Sequence, residues 1–286
     1  KSKARKPIKL VINKNEDDPI SEEDFPSSYF KFTLVRVDGK KQKFNKEEPV
    51  RLALDKMYKG KWFVSDISSK VVNRSPSPPF NTSTMQQSSA AQLGYNANKT
   101  MKLAQQLYER GFITYMRTDS FNISQSARAT ISKFIEKSYG KEYLPLVPRV
   151  YKVKSKVAQE AHEAIRPTHM VIDLSKLSNE QKRLYDLIFK RAVASQMADA
   201  KVKLNNICVK VEGYDFEMEG QKVIFPGFYI VRSLKIKEFD LPDLTTGEEL
   251  FLNILEAEQK FTEPPARYTE ATLIKALEAN GIGRPS

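Results

Sequence analysis

The feature that most limits how this chain can fold is a change of hydrophobic period, made twice. Up to Val72 the apolar residues sit mostly in β-prone runs. From the breaker cluster Ser75-Pro76-Ser77-Pro78-Pro79 to about Lys203 they recur at about every 3.6 residues, and after Lys203 the β pattern returns. A face that recurs every second residue suits a sheet, and one that recurs every 3.6 suits a helix. The simplest architecture is of the α+β class, with a β-rich domain in two segments, 1–78 and 204–260. A mainly helical domain, 79–203, is inserted between them, and 261–286 reads as the start of a further helical domain. A length of 286 residues suffices for two ordinary domains.

Local signals fill in this outline. Residues 1–28 read as an extended arm with one apolar run, Ile8 to Ile12, and residues 29–44 as a hairpin turning at Asp38-Gly39. Asn45, with Glu48 three residues on, predicts a capped short helix ending at Gly60, and Lys61 to Val72 a strand. Thr84 is the expected cap of a helix from Met85 towards Gly94. Ala97, Met101, Ala104, Leu107 and Tyr108 form a helical face that Gly111 stops. Ser124 predicts a helix to Gly140, and Ser178 with Gln181 a capping box for a helix to about Met197. Further strands are expected at Ile207–Val211, at Tyr214–Phe225 with a turn at Glu219-Gly220, at Leu234–Phe239 and at Glu249–Glu256. Thr269 caps a final helix.

Composition narrows the partners. Lysine and arginine number 47 against 35 aspartates and glutamates, a formal net charge of +12, which fits a polyanionic partner. No run of about 18 apolar residues exists to span a bilayer. Cys208 is the single cysteine, so an intrachain disulfide and a multi-cysteine zinc site are both excluded. The expectation is a cytoplasmic protein with no membrane partner.

The densest chemistry lies in Gly111-Phe112-Ile113-Thr114-Tyr115-Met116-Arg117-Thr118-Asp119-Ser120. A tyrosine hydroxyl becomes a usable nucleophile when a fixed cation stabilises the phosphoryl group it attacks. In an extended segment Arg117 shares a face with Tyr115, and its guanidinium can grip phosphate with two hydrogen bonds. His162 and Arg166 are four apart, so one helical turn would present both on one side before Pro167 ends it. Asn81, Thr82, Thr84 and Gln87 are short neutral hydrogen-bonding residues near a helix start, suited to phosphate and sugar contacts.

The string around Tyr115 resembles, nearly letter for letter, the active-site tyrosine motif of type IA DNA topoisomerases, the bacterial branch in particular. Three further stretches match that family in order: Pro79 to Gln87, Ala161 to Thr168, and Pro264 to Ala271 running on to Gly281-Ile282-Gly283-Arg284-Pro285-Ser286. The resemblance covers roughly residues 25 to 286. It implies that Tyr115 attacks the 5′ phosphate side of a break in single-stranded DNA, that Arg117 stabilises charge there, and that His162 supports the phosphate and tyrosine network. It also implies DNA contacts at Asn81, Thr82, Thr84, Gln87, Thr114, Thr118, Asp119, Ser120, Glu163, Arg166, Arg267 and Arg284.

The family also has an N-terminal acidic domain that binds Mg²⁺, and nothing here matches it. Asp215, Glu217 and Glu219 alternate on one strand face, and Glu16-Asp17-Asp18 lies in the arm; neither is assigned to metal. The expectation is a fragment that holds the nucleophile but no metal site, inactive alone in relaxation and partnered by the missing N-terminal domain. Two other readings stay open: a non-catalytic single-stranded DNA-binding module, and another strand transferase with a tyrosine nucleophile. A tyrosine recombinase would place its Arg and His before the Tyr, whereas His162 and Arg166 follow Tyr115.

Overall fold

The structure, a computed structural model, describes residues 8–13, 30–41, 44–151, 162–232, 238–259, 261 and 263–282. In chain order its elements are β1 (Ile8–Asn13), β2 (Phe30–Val37), α1 (Glu47–Lys59), β3 (Trp62–Arg74), α2 (Thr82–Leu93), α3 (Ala97–Glu109), α4 (Gln125–Tyr139), α5 (Asn179–Ser195), β4 (Ala200–Val211), β5 (Tyr214–Phe225), α6 (Tyr229–Arg232), β6 (Glu249–Ala257) and α7 (Glu270–Ala279). They fall into two compact units. One takes the chain up to Val72, Val202–Ile224 and Ile236–Pro265; the other takes Asn73–Lys201, Phe225–Lys235 and the chain from Ala266.

The first unit is a closed six-stranded barrel in the order β1-β2-β5-β4-β3-β6. Closure removes the unpaired edges that an open sheet would present. The apolar run read as part of an arm is β1, which closes the ring: Leu10 pairs with Phe32 of β2 on one side and with Leu255 of β6 on the other. Strand alternation carries Ile207, Val209 and Val211 of β4 inward and leaves Lys210 outside. They pack with Phe32, Trp62, Val64, Phe216 and Met218. Trp62 and Phe216 meet with ring centroids 5.1 Å apart. Helix α1 adds Val50, Ala53 and Met57, which its 3.6-residue period brings to one face.

Several local expectations for this unit need correction. Lys46, not Asn45, precedes α1, and no side chain caps it. The hairpin after β2 shrinks to the Asp38-Gly39 turn and one bridge, Val37 to Lys40, because β2 takes its partners from β1 and β5. Phe44 is buried in the core rather than placed on a strand. The expected turn at Glu219-Gly220 is absent: β5 runs straight through, and Gly220 lies against the Phe239 carbonyl and Leu241. The turn between β4 and β5 is at Glu212-Gly213 instead, where both residues have positive φ. Of the strand expected at 234–239, residues 234–237 lie outside the described residues, and Phe239 bridges Gln221.

The second unit holds the helices. Phe80, Met85, Leu103, Leu107, Phe112, Ile113, Met116, Ile165, Leu184 and Ile188 form one core cluster of α2, α3, α5 and the segments that join them. A second gathers Ile131 and Ile135 of α4, Val193 and Ala194 of α5, and Phe228 and Val231. Ser178 and Gln181 make the expected capping box on α5, which ends at Ser195. The cap of α2 is Asn81, with Thr84 as its reciprocal partner at the third helical position, so the helix begins earlier than the Thr84 reading had it. Thr269 Oγ1 accepts from the Thr272 N–H at 3.3 Å at the start of α7. That helix belongs to this unit, where the sequence had suggested a further domain. It packs on α2, and Glu270 Oε1 accepts from the Ala97 N–H at 3.1 Å. The α+β class read from the sequence is the class observed.

Candidate active site

Helix α3 ends where Gly111 takes φ +73°, a left-handed turn that a β-carbon would strain. Gly111 N–H donates to Tyr108 O at 2.8 Å and Phe112 N–H to Leu107 O at 2.9 Å, satisfying carbonyls of the last turn. The chain then runs from Phe112 to Asn122 with bends at Phe112, Thr114, Met116 and Arg117, hydrogen-bonded to two other non-helical stretches. Ile165 N–H donates to Phe80 O at 2.7 Å, Thr114 N–H to Arg166 O at 2.9 Å, Thr168 N–H to Phe112 O at 3.1 Å, and Ala164 N–H to Asn122 O at 2.7 Å. Residues 162–166 are therefore extended, not the helical turn the His162–Arg166 spacing predicted; the ladder to Phe80 and Thr114 outweighs the local periodicity.

Alternation in this loop sorts its side chains. Met116, Thr118 and Ser120 are buried, whereas Tyr115 is 38% exposed and Arg117 is exposed. Tyr115 and Arg117, expected on one face of an extended segment, are both exposed, and the chain bends at Met116 and Arg117 between them. His162 is also exposed, and its ring centroid lies 6.1 Å from that of Tyr115. Tyr108, at the end of α3, meets Tyr115 edge-on with ring centroids 5.2 Å apart. Among the described residues, no hydrogen bond or ion pair engages the Tyr115 hydroxyl, the Arg117 guanidinium or the His162 ring. These three exposed groups stand on a hydrogen-bonded base.

Most of the other candidate residues build that base. Asn81 is buried and caps α2 through Thr84 N–H at 2.8 Å; Thr84 Oγ1 returns a bond to Asn81 Oδ1 at 2.7 Å. Thr82 Oγ1 donates to Met116 O at 2.7 Å and accepts from Thr118 N–H at 2.9 Å. Thr118 Oγ1 accepts from Ser120 N–H, and Ser120 Oγ from Asn122 N–H, both at 3.0 Å. Thr114 Oγ1 donates to Ala164 O at 2.7 Å and accepts from Arg166 N–H at 3.0 Å. Gln87 Nε2 donates to Ser83 Oγ at 3.0 Å. Asp119 is half-buried on the outer side of the loop. Arg267 is exposed before α7, and Arg284 lies outside the described residues.

Glu163 joins α4 to this base. Its Oε1 accepts from Ser124 N–H at 2.7 Å at the start of α4, and its Oε2 from Arg166 Nη2 at 2.5 Å. Burial works against the carboxylate's charge, but the Ser124 hydrogen bonds and the Arg166 guanidinium together outweigh it and hold the carboxyl below its usual range. Arg166 also donates from Nη1 to Pro167 O at 3.0 Å.

Sequence reasoning placed Tyr108 only on a helical face and missed its contact with Tyr115. The helix ends at Glu109 and the chain turns at Gly111, so no periodic spacing links the two residues and the contact was not legible in the sequence. Among the described residues no group of three or more His, Cys, Asp or Glu side chains could hold a metal ion. Asp215 lies 3.7 Å from Lys210, and Glu217 pairs with Arg36 at 2.8 Å, so these two carboxylates face cations of the barrel wall.

A family model described as DNA topoisomerase matches residues 13–286. The chain is 41% identical over 281 residues to DNA topoisomerase 1 of Campylobacter jejuni, covering 94% of this chain and 40% of that protein. To DNA topoisomerase 1 of Helicobacter pylori it is 40% identical over 301 residues, covering 98% and 41%. Among solved structures, full-length topoisomerase I from Thermotoga maritima superposes with a TM-score of 0.75 at 30% identity, over 99% of this chain and 45% of that one. The chain thus spans about two fifths of the length of these curated relatives. With the tyrosine motif set on a hydrogen-bonded loop and with these likenesses along nearly its whole length, the chain belongs to the type IA DNA topoisomerase family.

Proposed function

We propose that this chain is the tyrosine-bearing part of an enzyme that cuts one DNA strand, passes another through the break and reseals it, relaxing negatively supercoiled DNA without ATP. The observation that supports this most directly is the outward Tyr115 phenol beside the exposed Arg117 and His162. In this reading Tyr115 Oη loses its proton and bonds to the scissile phosphorus. The bond from phosphorus to the 3′ oxygen breaks, that oxygen takes up a proton, and the 5′ phosphate stays on the tyrosine. One phosphodiester replaces another, so the bond energy is retained and the reverse attack reseals the strand.

Arg117 offers its fork of N–H donors to the phosphate oxygens as charge develops there. His162 supports the tyrosine and phosphate from beside the ring. Asp119 lies next on the same outer side, and the buried Asn81, Thr82, Thr118 and Ser120 serve the site by fixing the loop rather than by touching DNA. The described residues do not fit a Mg²⁺ site. In this reading the Mg²⁺ that the resemblance implies would be held by the part of the enzyme that this chain does not span. The partners are single-stranded DNA segments and that remaining part of the enzyme, and the place of action is the bacterial nucleoid in the cytoplasm.

The test is capture of a covalent adduct. The full-length polypeptide carrying this chain is mixed with an end-labelled single-stranded oligonucleotide and Mg²⁺, then denatured and resolved on a gel. A labelled protein band that disappears in Tyr115→Phe, with oligonucleotide binding retained, supports the reading. An adduct that persists in Tyr115→Phe sinks it, and binding without any adduct in the unmodified protein would mark a binding module instead.

A further inference from the structure

We propose that Thr82 is a positioning residue for DNA cleavage, acting through Arg117. The inference rests on the reading of Arg117 as the group that stabilises charge at the scissile phosphate. Arg117 has no side-chain partner among the described residues, so its direction depends on its backbone. That backbone is held at both flanking residues by one side chain. Thr82 Oγ1 donates to the carbonyl of Met116 at 2.7 Å and accepts from the N–H of Thr118 at 2.9 Å. Thr82 also donates its own N–H to Thr118 O at 2.9 Å, and that oxygen lies 3.1 Å from the hydroxyl.

A hydroxyl has one hydrogen and two lone pairs, and here the hydrogen and one lone pair are engaged with the loop. Thr82 is only 2% exposed, which leaves no route to a DNA backbone. Its anchor is rigid. Thr82 is the first residue of α2, next to the Asn81–Thr84 capping box, and α2 packs into the core through Met85. The structure therefore couples the start of α2 to the site 34 residues later in the chain. Removing the hydroxyl would leave a buried carbonyl and a buried N–H unpaired, and the loop would relax to satisfy them. A shift of about 1 Å in a catalytic group can lower a rate by roughly 10²-fold.

The test compares Thr82→Val, which keeps the shape, with Thr82→Ser, which keeps the hydroxyl, in the full-length enzyme. Single-turnover cleavage of a labelled single-stranded oligonucleotide and equilibrium binding of the same oligonucleotide are measured in parallel. Thr82→Val should slow cleavage about 10- to 100-fold while binding changes less than about twofold, and Thr82→Ser should cleave within about threefold of the parent. Combined with Arg117→Ala, Thr82→Val should add little further loss, because both act through one group. If Thr82→Val fails to fold, Thr82→Ala carries the same comparison. Cleavage unchanged in Thr82→Val, binding lost in step with cleavage, or full multiplication of the two losses each overturns the proposal. An adduct that persists in Tyr115→Phe would overturn the underlying reading instead, and is scored separately.

Discussion

Tyr115 has two aromatic neighbours, Tyr108 on α3 and His162, with Arg117 two residues on. Among the described residues its hydroxyl has no hydrogen-bond partner, which suits an attacking group. Arg117→Ala should therefore cut the rate of adduct formation by about 10²–10³ while oligonucleotide binding falls far less, as measured in single-turnover cleavage against direct binding. Arg117→Lys should recover only part of the rate, because a point charge cannot make the two-pronged grip. Glu163 gives a second residue-level expectation. Its carboxyl titrates below the usual value of 4.5 in the folded protein. Its stabilising contribution is then complete above that value and fades as pH falls through the lowered one. Glu163→Gln should cost about 1–3 kcal/mol at neutral pH, from lost charge-assisted bonds to Ser124 and Arg166, and the difference should shrink in acid. Denaturant melts of parent and variant across pH check this; a difference constant with pH would contradict it.

At the level of elements, two short features carry more than their length suggests. The Asn81 cap starts α2 in the right place for Thr82 to reach the tyrosine loop. Asn81→Ala should cost about 0.5–2 kcal/mol in a melt, and should slow cleavage as well if the helix start shifts. Gly60 ends α1 against the end of β4. A β-carbon there would stand 2.5 Å from Val211 Cγ2 and 2.7 Å from Glu212 Cγ. Glu212 can swing aside, but Val211 is buried in the barrel core. Gly60→Ala should thus destabilise by about 1–3 kcal/mol, seen as a lower denaturation midpoint. The φ at Gly60 is −84°, so the cost is one of space and not of backbone conformation.

For the whole molecule, charge sets how DNA is met. With a net charge of +12, single-stranded DNA binding should weaken steeply between about 50 and 200 mM salt, because neutralised phosphates release counterions. A flat salt response in a filter-binding or anisotropy titration would argue against contacts along a backbone. Expressed by itself, this chain should bind oligonucleotide but leave supercoiled plasmid unrelaxed. The described residues bring together no metal-holding group, and the chain spans about two fifths of the length of its curated relatives. Plasmid relaxation by the isolated chain, followed on an agarose gel, would refute that expectation.

The sequence by itself determined what depends on neighbours along the chain. The change of period placed the helices and the β segments, the Ser178–Gln181 and Ser124 caps sat where they were read, and the motif around Tyr115 identified the nucleophile candidate and its family. What only the tertiary structure decided depends on partners distant in sequence. Ile8 to Ile12 looked like part of an arm because nothing local says that Leu10 pairs with both Phe32 and Leu255. The His162–Arg166 spacing fits a helix, but hydrogen bonds to Phe80 and Thr114 draw the segment out straight. Glu219-Gly220 resembles a turn in isolation; on β5 the glycine makes room for the Phe239 carbonyl and Leu241. Thr82 and Thr118 stand in the sequence as hydroxyls suited to DNA contacts; the fold buries both and joins them to each other. A side chain's polarity is written in the sequence, but whether it meets water, substrate or the protein's own backbone is settled only when distant segments pack together.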